Sequence, residues 1–202
     1  MPSVESFGVK CYNLFNKQEF VGVIMIETER LCIKPFCEDD ADIIFKLYSD
    51  KEIMRYMPND YMNEETAEKH LKKIVEAWKE TPLTDCEMLV LTKQDGEKIG
   101  RCRIHIDEDA ESAMIGWLLL KNEWNKGYAT EITKALLDYC FDILNIRRVC
   151  ALCHPDNTAS WKVLEKCGMR KEAHYKEKCR YIKNGIVSWQ DELEYAVLKT
   201  ER

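Results

Sequence analysis

The residues best suited to chemistry lie in the run Trp124-Asn125-Lys126-Gly127-Tyr128-Ala129-Thr130, between an apolar segment, residues 115–120, and a segment of helical periodicity. Glycine at 127 permits a bend or a close ligand approach that a side chain would block. The helix that follows leaves its first amide N–H groups without helical acceptors, and together with the helix dipole these form an anion site. Lys126 sets a positive charge beside it. A diphosphate suits such a cradle. The spacing is not that of a Walker loop, since no Gly-Lys-Ser/Thr follows, and it lacks the second and third glycines of the dinucleotide fingerprint. Gly116, inside the preceding apolar segment, predicts a bulge or a close backbone approach.

A second group lies downstream. Asn157 is of the best N-capping type. Ser160 is either a helix-face serine bonded to its own backbone or a free hydroxyl for proton transfer. Cys150 and Cys153 form the one tempting metal pair, but residues three apart on a strand point to opposite faces, so no metal site is expected. The ten cysteines are scattered through apolar segments. The first 26 residues lack the basic start and long apolar stretch of a signal peptide. Free thiols in a reducing cytoplasm are therefore expected rather than a disulfide scaffold.

The elements that must position these residues follow from periodicity. A short strand is expected around Leu31 and Ile33, then a helix over 38–49 burying Ala41, Ile44, Phe45 and Tyr48. Asn63 caps a second helix with Ala67, Leu71, Ile74, Val75 and Trp78 on one face, and Pro82 lies beyond its end. Strands are expected near 86–92, 98–106 and 112–120, the first two joined at Gln94-Asp95-Gly96. A long helix follows Gly127, with a buried stripe from Ala129 to Leu144. A strand over 147–153, a helix over 157–166 stopped by Gly168, and a hairpin turning at Asn184-Gly185 complete the order. The reading is one α+β domain over 27–202, with a mostly antiparallel sheet of about six or seven strands, about four helices and a βαβ-like centre. Residues 1–26 read as an extension, an extra strand or a segment upstream of an alternative start at Met25. A net charge of −6 with interspersed signs argues against a nucleic-acid partner. No apolar run approaches the roughly 18 residues that cross a bilayer, so no membrane partner is expected.

Three segments carry a resemblance. Residues 124–131, Trp-Asn-Lys-Gly-Tyr-Ala-Thr-Glu, resemble the acetyl-CoA loop of the GNAT N-acetyltransferases in its RimJ/RimL-like form, with Trp124 where the superfamily has Gln or Arg. Residues 28–36, Thr-Glu-Arg-Leu-Cys-Ile-Lys-Pro-Phe, resemble that branch's opening strand. Residues 157–169, Asn-Thr-Ala-Ser-Trp-Lys-Val-Leu-Glu-Lys-Cys-Gly-Met, resemble its second CoA segment, with Met169 in place of the usual Phe. The resemblance implies a GNAT fold with a splayed central strand pair, and acetyl-CoA as co-substrate without a metal. It implies that the pantetheine arm runs along 112–120, past Ile115, Trp117, Leu118 and Leu119. The pyrophosphate then lies on the amides from Asn125 to Thr130, and Asn157 and Ser160 face the thiol. The acceptor is a primary amine, a protein N-terminus or a small molecule, attacking directly in a ternary complex. A homodimer is compatible with the resemblance and fixed by no residue pattern.

The proton chemistry is less well marked. Many family members place a Tyr seven residues after the motif Asn; here that residue is Leu164, which leaves Ser160 as the candidate proton donor. Candidate bases are Glu111, Asp109, Glu123, His154, Glu172 and Glu177. Glu111 ranks first because it begins the strand expected to line the cleft, and His105 reads as a strand-face residue. The alternative to an enzyme is an acyl-CoA-binding sensor that keeps the loop without turnover.

Overall fold

Alternating apolar positions from Leu31 to Leu198 become seven strands, and three more precede them. The computed structural model describes the backbone of residues 4–6, 9–16, 19–79 and 84–202, and the side chains of 25–79 and 84–202. In chain order the strands are β1 (Val4–Ser6), β2 (Val9–Asn16), β3 (Glu19–Glu27), β4 (Leu31–Pro35), β5 (Asp85–Thr92), β6 (Lys98–Ile106), β7 (Ser112–Leu119), β8 (Arg148–Cys153), β9 (Arg170–Lys183) and β10 (Ile186–Leu198). The helices are α1 (Ala41–Ser49), α2 (Glu64–Ala77), α3 (Tyr128–Asp138) and α4 (Thr158–Lys166). They form one sheet in the order β1-β2-β3-β4-β5-β6-β7-β8-β10-β9. The expected count of six or seven strands is therefore too low for the whole chain; the excess is the edge formed by β1 to β3. Pro82 lies outside the described residues.

Direct cross-strand partners share a face, so the register sorts the side chains. Leu89, Arg101 and Leu118 stand in one row, and Leu89 and Leu118 pack with Ile43, Leu47, Tyr48, Leu71 and Ile74 of α1 and α2. The opposite face buries Met88, Cys102, Ile104 and Ile115 against Ile132, Ala135 and Leu136 of α3. Each such fully buried aliphatic side chain contributes roughly 1.5–3 kcal/mol. Asn63 caps α2, accepting from the Thr66 amide at 2.9 Å. The long helix differs from the expectation at its end: after Asp138 it widens into a π-helical turn over Tyr139–Ile143, where Leu144 N–H reaches the Tyr139 carbonyl at 3.1 Å. That turn buries Tyr139, Cys140 and Phe141 together.

Every strand pair is antiparallel except β7 with β8. Those two share register only at Ser112↔Arg148, Ala113↔Val149 and Met114↔Cys150. Beyond Met114 they part, leaving the β8-facing edge of residues 115–119 without a strand partner. Gly116 makes no bulge. The β6–β7 register runs unbroken through it, and a Cβ there would meet nothing within 4 Å. Among the described residues no helix is long and apolar enough to cross a membrane, and no three His, Cys, Asp or Glu side chains converge as metal ligands. The nine described cysteines are free, and burial pushes the Cys86 thiol up to about 12.

Candidate active site

The parted strands open a cavity of about 860 Å³. Its lining contains most of the residues singled out from the sequence: Ile115, Trp117, Leu118 and Leu119 on β7, Asn125 and residues 127–130 in the turn, and Asn157, Ser160 and Leu164 around α4. The α1–α2 connection, β6, β9 and β10 close the other side with Tyr56, Arg101, Arg103, Tyr181 and Glu192.

Hydrogen bonds from the end of β7 build the turn. The Leu120 amide donates to the Ile99 carbonyl at 2.9 Å, and the Trp124 indole N–H donates to the Leu119 carbonyl at 3.0 Å. Asn125 takes φ 61°, which Asn tolerates better than most residues. Gly127 takes φ 85° and ψ −2° as the N-cap of α3, with no side-chain cap. The first helical bond runs from the Glu131 amide to the Gly127 carbonyl, so the amides of Tyr128, Ala129 and Thr130 have no helical acceptor. All three residues line the cavity beside Gly127.

Lys126 is not where the sequence reading put it. It does not line the cavity, and its ammonium lies 3.1 Å from the buried carboxylate of Glu123. Its charge therefore serves the turn's own folding. The cation that does reach the turn is Arg30, from the loop between β3 and β4. Its Nη1 donates to the Lys126 carbonyl at 2.9 Å and its Nε to Glu131 at 2.7 Å, while its Cζ sits 4.5 Å from the Tyr128 ring centroid. Burial pushes the Glu131 carboxyl up, but hydrogen bonds from Thr28 and Arg30 outweigh it and hold the group below the usual range. Sequence reading missed Arg30; its one signal was membership of the 28–36 segment.

Around α4 the expected residues come together. Asn157 is the N-cap, accepting from the Ser160 amide at 3.3 Å. The Ser160 hydroxyl makes no hydrogen bond to the described residues, so it is not spent on its own backbone. Leu164 is core.

The candidate bases separate sharply. Glu111 is not in the cavity: its side chain is 59% exposed and its carboxylate faces Arg147 at 3.5 Å. It directly precedes β7, at the end where β7 and β8 are still paired, the closed end of the splay. Asp109 occupies the same exposed turn, and Glu172 is tied to Arg148 and Arg170. Glu177 lies outside the lining as well. Glu123 lines it but is held by Lys126. His154 lines it too, stacked on Tyr56 with centroids 5.1 Å apart. Its Nδ1 accepts the Asp156 amide at 3.1 Å, so in the neutral ring the other nitrogen carries the proton and acts as a donor. Glu192, which the sequence reading passed over, lines the cavity with its side chain only 15% exposed and Lys178 at 3.3 Å.

Residues 30–170 match the family described as the acetyltransferase (GNAT) domain. This chain is a GNAT acetyltransferase. It is 34% identical over 177 residues to the uncharacterized N-acetyltransferase YnaD of Bacillus subtilis strain 168, covering 87% of this chain and 98% of YnaD. A GNAT-family acetyltransferase structure from Bacillus anthracis superposes with TM-score 0.75 at 29% identity, covering 87% of this chain and 99% of the other. The fold is shared with Mycobacterium smegmatis RimJ in complex with CoA-disulfide, at TM-score 0.73 and 23% identity over 85% and 83% of the two chains. GNAT acetyltransferases use acetyl-CoA, and the N-acetyltransferase class of this chain follows from the family and its relatives.

Proposed function

We propose that this chain binds acetyl-CoA along β7 with its diphosphate on the 125–130 amides, and acetylates a primary amine directly in a ternary complex. One observation carries the reading: the splay of β7 from β8 leads, within a single cavity, to a helix N-terminus whose capping residue has no side chain. The three motif segments support kinship with the RimJ/RimL-like branch. The free described thiols support work in a reducing compartment such as the cytoplasm.

Acetyl-CoA brings the acetyl group as a thioester: transfer forms a C–N bond and breaks the C–S bond, and the ammonium nitrogen sheds two protons, one ending on sulfur and one in solvent. Glu192 is the carboxylate suited to receive the ammonium proton, and it replaces Glu111 in that role. Ser160 Oγ, free of backbone partners, is suited to protonate the sulfur. His154 offers an N–H donor to the same space. Positioning supplies much of the rate, up to roughly 7–11 kcal/mol in favourable cases.

Incubation with acetyl-CoA and a broad panel of amines, peptides with free N-termini included, is expected to release CoA thiol. Tight acetyl-CoA binding with no release across the panel would instead leave a sensor. A second expectation concerns Arg30. Arg30→Ala removes a half-exposed ion pair and the bond to the Lys126 carbonyl, and should weaken acetyl-CoA binding roughly tenfold. Acetyl-pantetheine, which lacks the diphosphate, should bind the variant as it binds the parent. Equal weakening of both ligands would mean that Arg30 merely holds the fold.

A further inference from the structure

The face of the sheet that packs on α1 and α2 carries guanidinium groups on one side of the splay and a carboxylate on the other. On β6, Arg101 and Arg103 share that face with Leu118 and Gly116 of β7, their direct partners. Arg101 is more than nine-tenths buried and lines the cavity; its Nη1 lies 3.1 Å from the equally buried carboxylate of Glu87 on β5, and its Nε is left without a hydrogen-bond partner among the described residues. Arg103 gives Nε and Nη2 to Asp85, which does not line the cavity. The absent side chain at Gly116 leaves open space directly across from it. On the far side of the gap, Leu193 packs in the α3-side core, so Glu192 points to the same face as the two arginines. The lining thus offers guanidinium N–H groups on the β6 side, each guanidinium already holding one carboxylate of β5, and a carboxylate on the β10 side, with the parted strands between them.

From this arrangement we propose that the acceptor is an amine that also bears a carboxylate. Its anionic group binds against Arg103 and Arg101, and its amine is directed to Glu192. The proposal rests on the transferase reading above and names the substrate class of the same site. Guanidinium groups recognise carboxylates through paired, charge-assisted hydrogen bonds. A buried guanidinium nitrogen without a partner is costly unless a ligand satisfies it. A polycation gains nothing from the unused guanidinium N–H groups of this wall, which can only donate.

The test compares acceptors in thiol-release kinetics: a panel of α- and ω-amino acids, each beside its own amide, and spermine. The acids are expected to exceed their amides in kcat/KM by about tenfold or more, a charged hydrogen bond's worth. Arg103→Gln should bring that ratio towards one, and Arg103→Lys should keep part of it. Unchanged acetyl-CoA binding by both variants shows that they are folded. Amides equal to acids, spermine as the best acceptor, or a ratio untouched by Arg103→Gln would each overturn the proposal. Release confined to amines without a carboxylate overturns the proposal alone. No release from any acceptor, with acetyl-CoA still bound, overturns the transferase reading beneath it.

Discussion

Replacing Gly127 with Glu should abolish acetyl-CoA binding, weakening it on the order of 100-fold or more in a calorimetric titration. Three effects act in the same direction. Gly127 sits at φ 85°, a region that costs a residue with a Cβ about 1–2 kcal/mol. A Cβ there would sit 3.4 Å from Arg30 Nη2, so a longer side chain must turn towards the amides of Tyr128 to Thr130 or push the clamp aside. Its carboxylate would then take the helix N-terminus for itself and repel a diphosphate, with like charges 4 Å apart near a surface costing about 4 kcal/mol. Gly127→Gln separates bulk from charge and should fall between Glu and the parent. Gly127→Ala carries only the backbone strain. Circular dichroism should show all three folded, because the turn lies at the rim of the sheet. An undiminished affinity in the Glu variant would mean that the diphosphate lies elsewhere.

The parts of this site that were legible in the sequence are the local ones. Gly127 needs its left-handed φ whatever surrounds it, and so do Asn184 and Gly185 at φ 51° and 76° in the last hairpin. Asn157 caps α4 because the first amides of a helix need an acceptor within three residues. The misread parts depend on contacts between distant segments. Arg30 looked like an ordinary surface arginine until the β3–β4 loop met Glu131, 101 residues away. Lys126 looked free because nothing in the turn's sequence shows that Glu123 is buried beneath it. Glu111 was placed on the correct strand and at the wrong end. A parallel pair can part at either end, and only the register tells which: β7 and β8 join at Ser112 and open after Met114. Glu192 was hidden in the alternation Asp191-Glu192-Leu193-Glu194, where only the facing strand decides which carboxylate points inward.

The splay itself needs a firm neighbour, and Gly100 supplies it. Gly100→Val should lower stability by about 3 kcal/mol, and Gly100→Ala by somewhat less. Gly100 pairs with Leu119 on β7. A Cβ at this position would collide with the Leu118 carbonyl oxygen and lie 2.7 Å from Leu119 Cδ2 and 3.0 Å from its Cα. Two of these three atoms are backbone, so no rotamer change relieves the clash, and β6 must move away from β7. That separation strikes where the Leu120 amide meets Ile99 and the Trp124 indole meets Leu119, the bonds from which the diphosphate turn hangs. Acetyl-CoA affinity should therefore fall with stability. Gly116→Ala is the contrasting case on the adjacent strand: its Cβ meets nothing within 4 Å, so the denaturation midpoint should stay close to the parent's. Urea titrations of the three variants decide the matter. Equal midpoints for Gly100→Val and Gly116→Ala would show that β6 and β7 give way without cost, and the turn would then need another anchor.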